Sequence, residues 1–360
     1  MKTVAYYISD YGYGHATRST AIIRELLKGN DQIEIIICHS FAIEFLRQSF
    51  IHEERVTFRE VSTDVGYVLQ ENSLEPDDDL LNDKVASYVS GFFIKLRQEM
   101  CFMKAANISF VISDISPLGI ASAAALNVPS LGISNFTWFT AYEGLVEKRL
   151  LAFLKNQYKQ MTYQLSLACS GEPDWGIKEN RSVGFYAREV KTPEVQRIRK
   201  QIDPSGKSHI IYFGLGMKVD IDTLAELPLW HSPNCKFIVS SNVQVRHPNV
   251  YKIPEGEIET QHYVAAADLV MTKAGWGTIS EAVCAGVPLL IMNRTSVKED
   301  RHTIHYLIRH HLCELLDWEE LESLILTPSL INRCKEQYIN QYKNEAVHIT
   351  EEINKKINSK

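Results

Sequence analysis

The stretch Met271-Thr-Lys-Ala-Gly-Trp-Gly-Thr-Ile-Ser-Glu-Ala-Val-Cys-Ala-Gly-Val-Pro-Leu-Leu-Ile-Met292 constrains this chain most. A short apolar strand from Asp268 to Thr272 runs into a glycine-containing turn. A helix opens near Thr278 and closes at Gly286, and a second strand follows Pro288. The first amides of a helix have no intrahelical acceptors, so a helix start draws anions, and glycines let a ligand approach the backbone. That geometry suits the diphosphate of a sugar nucleotide. A plainer reading makes Thr278-x-x-Glu281 a capping box on an ordinary helix.

The rest of the chain narrows the class. Its 360 residues suggest two domains, and 45% hydrophobic residues are enough to fill two cores. A net charge of −6 argues against a general nucleic-acid binder, which would show a basic face. The seven cysteines are scattered, with no C-x-x-C pair and no metal-ligand spacing. They read as reduced thiols of a cytosolic protein. The N-terminus lacks the apolar run and cleavage site of a signal peptide, and no apolar run is long enough to span a bilayer.

Strand and helix signals alternate through most of the sequence. Strands are expected at Thr3–Ser9, Gln32–Cys38, Val56–Val61, Phe110–Asp114 and Ser130–Ser134. Helices are expected at His15–Lys28, Ser40–Ser49, Asp83–Ala105 and from Pro117 onward. Residues 144–168 read as one helical segment carrying Lys148, Arg149, Lys155 and Lys159. The acidic stretch 70–79, with Asp77-Asp78-Asp79, reads as an exposed loop rather than a metal site. Lys191 to Lys207, charged and with two prolines, reads as a linker. A second series follows: strand His209–Phe213, loop Gly214-Leu-Gly216, a helix near Asp222–Leu227 and strand Lys236–Ser240. Residues 329–360 read as helical. This alternation implies parallel sheets covered on both faces.

Several residues are candidates for chemistry. Gly12-Tyr-Gly14-His15-Ala-Thr-Arg18 joins the first strand to the first helix and puts an imidazole at a strand's carboxyl end. It has two glycines rather than three, and no acidic residue closes the second strand, so a dinucleotide reading is weak. His15 is a candidate general base for an acceptor hydroxyl, or else an ordinary helix-terminal histidine. Asp114, ending a central strand, is either its partner or the cap of the helix at Ser116-Pro117. Arg18 either holds an anion or pairs with an acidic neighbour. Gly214 and Gly216, with Lys218 nearby, form one candidate anion cradle. Gly275, Trp276, Gly277 and Thr278, with Lys273 nearby, form a second. Glu281 is placed to accept from ribose hydroxyls, and Asp300 is either a helix cap or a sugar contact.

These motifs together resemble glycosyltransferases of the GT-B fold over nearly the whole chain. Gly12-Tyr-Gly14-His15-Ala-Thr-Arg18 resembles their G-x-G-H-x-x-R loop, and it is especially similar to the glycosyltransferase-like part of plant arabinokinases. Ser113-Asp-Ile-Ser-Pro117 and Asn135-Phe-Thr-Trp138 resemble the same group, whose sugar kinase domain is not expected in this chain. Thr272-Lys-Ala-Gly-Trp-Gly-Thr-Ile-Ser-Glu281 with Ala285-Gly-Val-Pro288 resembles the donor signature of the MurG-type and UDP-glycosyltransferase families. The resemblance implies His15 as base, Asp114 as its partner, and Gly14, Gly275, Gly277 and Thr278 at the donor phosphates. Glu281 falls at the ribose. His302 and Thr303 fall near the sugar, where those families often carry Gln or Asp-Gln. Lys273 stands where a histidine or serine is common.

The expectation is therefore an α/β chain of two Rossmann-like domains facing across a cleft. Residues 1–185 form the acceptor-side domain, 186–207 a linker, 208–340 the nucleotide-sugar domain, and 341–360 a helix that crosses back to the first domain. The expected activity is metal-independent, inverting transfer of a sugar from a nucleotide donor, uridine-linked, to an acceptor hydroxyl, with no cofactor and no metal. A nucleotide-sugar epimerase and a non-catalytic nucleotide-sugar binder are the alternatives. The expected partners are the donor and an unidentified acceptor, not nucleic acid. The expected location is the cytoplasm, with contact at the inner membrane face left open.

Overall fold

The computed structural model of the chain describes residues 1–71, 73, 75–215, 222–294, 296–339 and 341–359. The chain divides into two compact units. One comprises residues 1–70, 75–184 and 345–360, the other residues 71–74 and 185–344.

The first unit holds a seven-stranded parallel sheet. Its strands are β1 (Lys2–Ile8), β2 (Ile33–His39), β3 (Val56–Glu60), β4 (Ile108–Asp114), β5 (Ser130–Ser134), β6 (Tyr163–Ser166) and β7 (Glu179–Ser182). They lie in the order β3-β2-β1-β4-β5-β6-β7. The central strands are apolar throughout because helices cover both faces; Val4 to Ile8 and Phe110 to Ile112 are buried. The order reverses between β1 and β4, where Ile8 lies opposite Asp114. Such a reversal opens a crevice at the carboxyl ends of the strands.

Helix Tyr13–Gly29 leaves β1 and buries Ala16, Ile22, Ile23, Leu26 and Leu27 as one stripe. Against it packs the last helix, Ala346–Asn358, whose Ala346, Ile349, Ile353 and Ile357 recur every three or four residues. Asn30 donates to Asn354 at 2.9 Å, and the Lys2 ammonium donates to the Ile357 carbonyl at 2.6 Å.

Three sequence expectations are corrected in and around this unit. Asp77 caps helix Asp78–Ala105, with Asp78 and Asp79 in its first turn, so the acidic triplet starts a helix rather than lying in a loop. Residues 144–168 are not one helix: helix Lys148–Tyr158 ends, and strand β6 follows at Tyr163. The expected linker contains helix Thr192–Ile202, which has Pro193 in its first turn and belongs to the second unit.

The second unit holds a six-stranded parallel sheet. Its strands are β8 (His209–Gly214), β9 (Cys235–Val239), β10 (Val250–Lys252), β11 (Leu269–Thr272), β12 (Leu289–Met292) and β13 (Cys313–Leu316), ordered β10-β9-β8-β11-β12-β13. Phe213, Trp230, Phe237 and Met271 pack in its core. The expected helix at 222–227 is a short 3₁₀ segment, and residues 338–345 divide the C-terminal helical region into two helices. Among the described residues no helix is long and apolar enough to cross a membrane.

Candidate functional site

The reversal point of the first sheet gathers a buried polar group. Gly12, at φ 77°, takes a backbone conformation that side-chain-bearing residues rarely adopt, and it turns the chain from β1 into the next helix. His15 and Arg18 then stand one turn apart on that helix, both buried. Asp114 reaches them from the end of β4. His15 Nδ1 lies 3.1 Å from Asp114 Oδ1. The Arg18 guanidinium donates to both carboxylate oxygens, through Nε to Oδ2 at 2.7 Å and through Nη2 to Oδ1. Ser19 also donates to Asp114, at 3.2 Å. Arg18 Nη1 donates to Asn135 Oδ1 at 2.8 Å, and Nη2 donates to Ser134 Oγ at 3.1 Å.

Burial alone would raise the Asp114 carboxyl, but Arg18 and His15 outweigh it and hold the group well below the usual carboxylate range. Burial, with help from the Arg18 charge, lowers His15 despite the pull of Asp114. The base candidate is thus neutral near pH 7, as a proton acceptor must be. Asp114 does not cap the helix at Pro117; Ser116 holds that place without a side-chain hydrogen bond. Arg18 is turned to Asp114, Asn135 and Ser134 rather than to an anion. Gly14 is the second residue of the helix, with open space where a Cβ would stand.

Beside this group lies a second imidazole–carboxylate pair, which belongs to no sequence motif. His39 Nδ1 is 3.0 Å from Asp10, and its Nε2 accepts from the Ala42 amide at 2.8 Å. Asp10 also accepts from the amides of Ser40, Phe41 and Thr63. With both nitrogens occupied, His39 ties loops together. The Phe136 ring packs edge to face with His15, centroids 5.8 Å apart, and leads to Trp138, Tyr67 and Tyr11.

In the second unit, helix Trp276–Ala285 follows β11. Gly275 is its N-cap and no side chain caps the helix, so the amides of Gly277 and Thr278 stand uncapped at its start. The Thr278/Glu281 capping box is therefore absent. Gly277 and Thr278 are half-buried at this start. The Trp276 ring is buried against Phe185 and Tyr186, so only its backbone faces the cradle. Gly214 is required by space: a Cβ there would lie 2.8 Å from the Tyr212 ring. Gly216 and Lys218 lie outside the described residues. Lys273 is half-buried, and its side chain passes 3.7 Å from where a Gly275 Cβ would stand.

Glu281 accepts from Arg188 through one oxygen, from Nη2 at 2.7 Å and Nε at 3.2 Å. Arg188, buried and also bound to Thr260, was not found by sequence reasoning; nothing in its neighbourhood resembles a motif. Two further expectations fail on burial. Asp300 is neither a helix cap nor an open sugar contact; it is buried in a 2.5 Å bond from Arg294, and Val297 is the N-cap. Thr303 is fully buried, its hydroxyl closed off from any sugar. His302 is half-buried on the same helix.

With this geometry in place, the likeness to known proteins is specific. Residues 249–357 match the glycosyltransferase family 28 C-terminal domain. The chain is 24% identical over 311 residues to the L-arabinokinase of Arabidopsis thaliana, covering 82% of this chain. It spans only 28% of the length of that curated relative. Among solved structures, the glycotransferase of kitacinnamycin superposes with a TM-score of 0.64 at 13% identity, covering 98% of both chains. A UDP-glucosyltransferase from Polygonum tinctorium, capable of glucosylating indoxyl, superposes with a TM-score of 0.64 at 14% identity. That match covers 100% of this chain and 99% of the other. At such identities the fold is what is shared. The chain has the two-domain, Rossmann-like GT-B fold, and its C-terminal part matches a glycosyltransferase domain.

Proposed function

We propose that the protein transfers a sugar from a uridine-linked nucleotide donor to an acceptor hydroxyl, with inversion at the anomeric carbon and without a metal. In this reading the acceptor hydroxyl gives its proton to His15 Nε2 as its oxygen attacks the anomeric carbon. The bond from that carbon to the diphosphate breaks, and the diphosphate leaves with the electron pair. Asp114 holds the imidazole and stabilises the imidazolium as it forms. The uncapped amides at Gly277 and Thr278 take the charge of the leaving diphosphate. Glu281, oriented by Arg188, keeps one oxygen for the ribose hydroxyls. The observation that carries the reading is the 3.1 Å approach of His15 Nδ1 to a carboxylate held ionised by Arg18, which leaves Nε2 to act as the base.

The test is turnover of a panel of nucleotide sugars with candidate acceptors, in chelator, with the product's anomeric configuration read by NMR. His15→Ala should lower turnover by about 10²–10⁴-fold, the usual share of a general base, while the donor still raises the melting temperature as in wild type. Unchanged turnover removes the base, and activity that requires added metal removes metal independence. Conversion of the donor alone, with no acceptor present, favours epimerisation.

A further inference from the structure

We propose that Arg18, held in place by Ser134 and Asn135, is a positioning residue that selects the Nδ1-protonated tautomer of His15 and keeps that imidazole uncharged at neutral pH.

The hydrogens available around His15 Nδ1 set its tautomer. His15 Nδ1 lies 3.1 Å from Asp114 Oδ1 and 2.9 Å from Arg18 Nη2. These neighbours make opposite demands. An ionised carboxylate only accepts, so it needs a hydrogen on Nδ1. A guanidinium only donates, so it needs a lone pair there. Nη2 carries two hydrogens. One goes to Asp114 Oδ1, and Ser134 Oγ accepts the other at 3.1 Å. Asn135 takes Nη1, and Asp114 Oδ2 takes Nε, so the guanidinium plane is fixed on three sides. With Nη2 fully used, the carboxylate prevails. Nδ1 keeps the hydrogen and Nε2 keeps the lone pair, which is the arrangement a base requires. Without the Ser134 hydroxyl, one Nη2 hydrogen is released toward Nδ1. The imidazole then carries its hydrogen on Nε2, where it cannot take another.

Charge points the same way. Arg18 and Asp114 nearly cancel, so a proton added to His15 leaves one uncompensated positive charge in a buried group. The other groups near the ring do not supply a second anion. His39, at the end of β2, is itself neutral, its Nε2 accepting from the Ala42 amide, and Ser19 and Tyr6 are uncharged. The uncharged Phe136 ring packs edge to face with the imidazole. The consequence for catalysis rests on His15 being the base, but the tautomer does not.

The experiment is long-range ¹H–¹⁵N correlation NMR on the full chain with ¹⁵N-labelled imidazoles, across a pH series. The His15 signal is assigned by its loss in His15→Gln. Wild type should show a neutral, Nδ1-protonated ring near pH 7, with a titration midpoint below the ordinary 6.5. Ser134→Ala should move the population toward the Nε2-protonated ring. Arg18→Met should raise the midpoint, and Arg18→Lys, which keeps the charge, should raise it less. An Nε2-protonated ring in wild type overturns the proposal. So does a Ser134→Ala protein whose tautomer and midpoint match wild type. Ser134→Ala leaves the Arg18–Asp114 ion pair intact, so it decides the matter even if the Arg18 variants do not fold. If the expected spectra appear while His15→Ala keeps full turnover, the tautomer assignment stands and the reading of His15 as base falls.

Discussion

Asp114 and Asp64 are both buried carboxylates near the carboxyl ends of the first sheet, and they meet burial in opposite ways. Asp114 has a guanidinium on both oxygens and stays ionised. Asp64 has neutral donors instead, the Asp10 amide at 3.0 Å and the Trp138 indole at 2.9 Å. Burial, and then the charge of Asp10, pushes it up to about 7. A carboxyl whose folded pKa is raised stabilises the fold most below its unfolded value, and this stability is lost as pH rises through the folded value. Wild type should therefore lose on the order of 4 kcal/mol from this group between about pH 4 and pH 7. Asp64→Asn should be less stable at low pH, having one acceptor fewer, yet nearly flat across that window. Urea unfolding at a series of pH values checks this, and parallel curves for the two proteins would refute it. At this scale the sequence was only half legible. His15 and Asp114 stood out because their residue types announce proton chemistry and each sits at a strand–helix junction. Ser19, which donates to Asp114, and Ser134 and Asn135, which hold Arg18, carry no such signal, since only the fold brings them within reach.

Among the elements, the C-terminal helix Ala346–Asn358 shows how remote sequence completes the first unit. Its apolar stripe covers helix Tyr13–Gly29, the element that carries His15 and Arg18. Ile353 is fully buried at this contact. Ile353→Ala should cost about 2–5 kcal/mol through lost burial and a cavity, read as a lower denaturant midpoint with an unchanged m-value. A loss below about 0.5 kcal/mol, the range of ordinary surface substitutions, would mean that the helix does not hold the unit together. The stripe was readable because its spacing is helical, and the central strands were readable because a strand covered on both faces is continuously apolar. Strands β6 and β7 were not. β7 is Glu179-Asn-Arg-Ser182, a polar edge with little apolar signal, and β6 follows a helix closely enough to prolong its pattern. Helix Thr192–Ile202 was obscured by its charges, which face water while Ile198 and Ile202 turn inward. Burial also decided where the sequence misplaced residues. Asp300 was a sugar contact by its place before a helix and Thr303 by resemblance, but both side chains are buried within their own unit.

For the whole molecule, the path of the chain matters more than any single element. Residues 185–344 leave the first unit after Gly184, and the chain re-enters it at Glu345, so the second unit is an insertion in sequence. The two ends of the insertion are tied together. Asn344 donates to the Ala187 carbonyl at 2.8 Å, and its side-chain oxygen accepts from the Ala187 amide at 3.2 Å. Phe185 and Tyr342 pack edge to face at 5.3 Å. Inserted domains with adjacent ends and their own core fold alone, and this one has a six-stranded sheet around Phe213, Trp230 and Phe237. A fragment of residues 185–344 should therefore unfold cooperatively and bind uridine diphosphate without His15 or Asp114. Its affinity should fall by about tenfold or more when Glu281→Gln weakens the ribose contact, the worth of one charged hydrogen bond. Calorimetric titration of the fragment with uridine diphosphate is the measurement. A folded fragment that binds no nucleotide would take the donor away from helix Trp276–Ala285. Binding unaffected by Glu281→Gln would leave the phosphate cradle in place and remove only the ribose assignment.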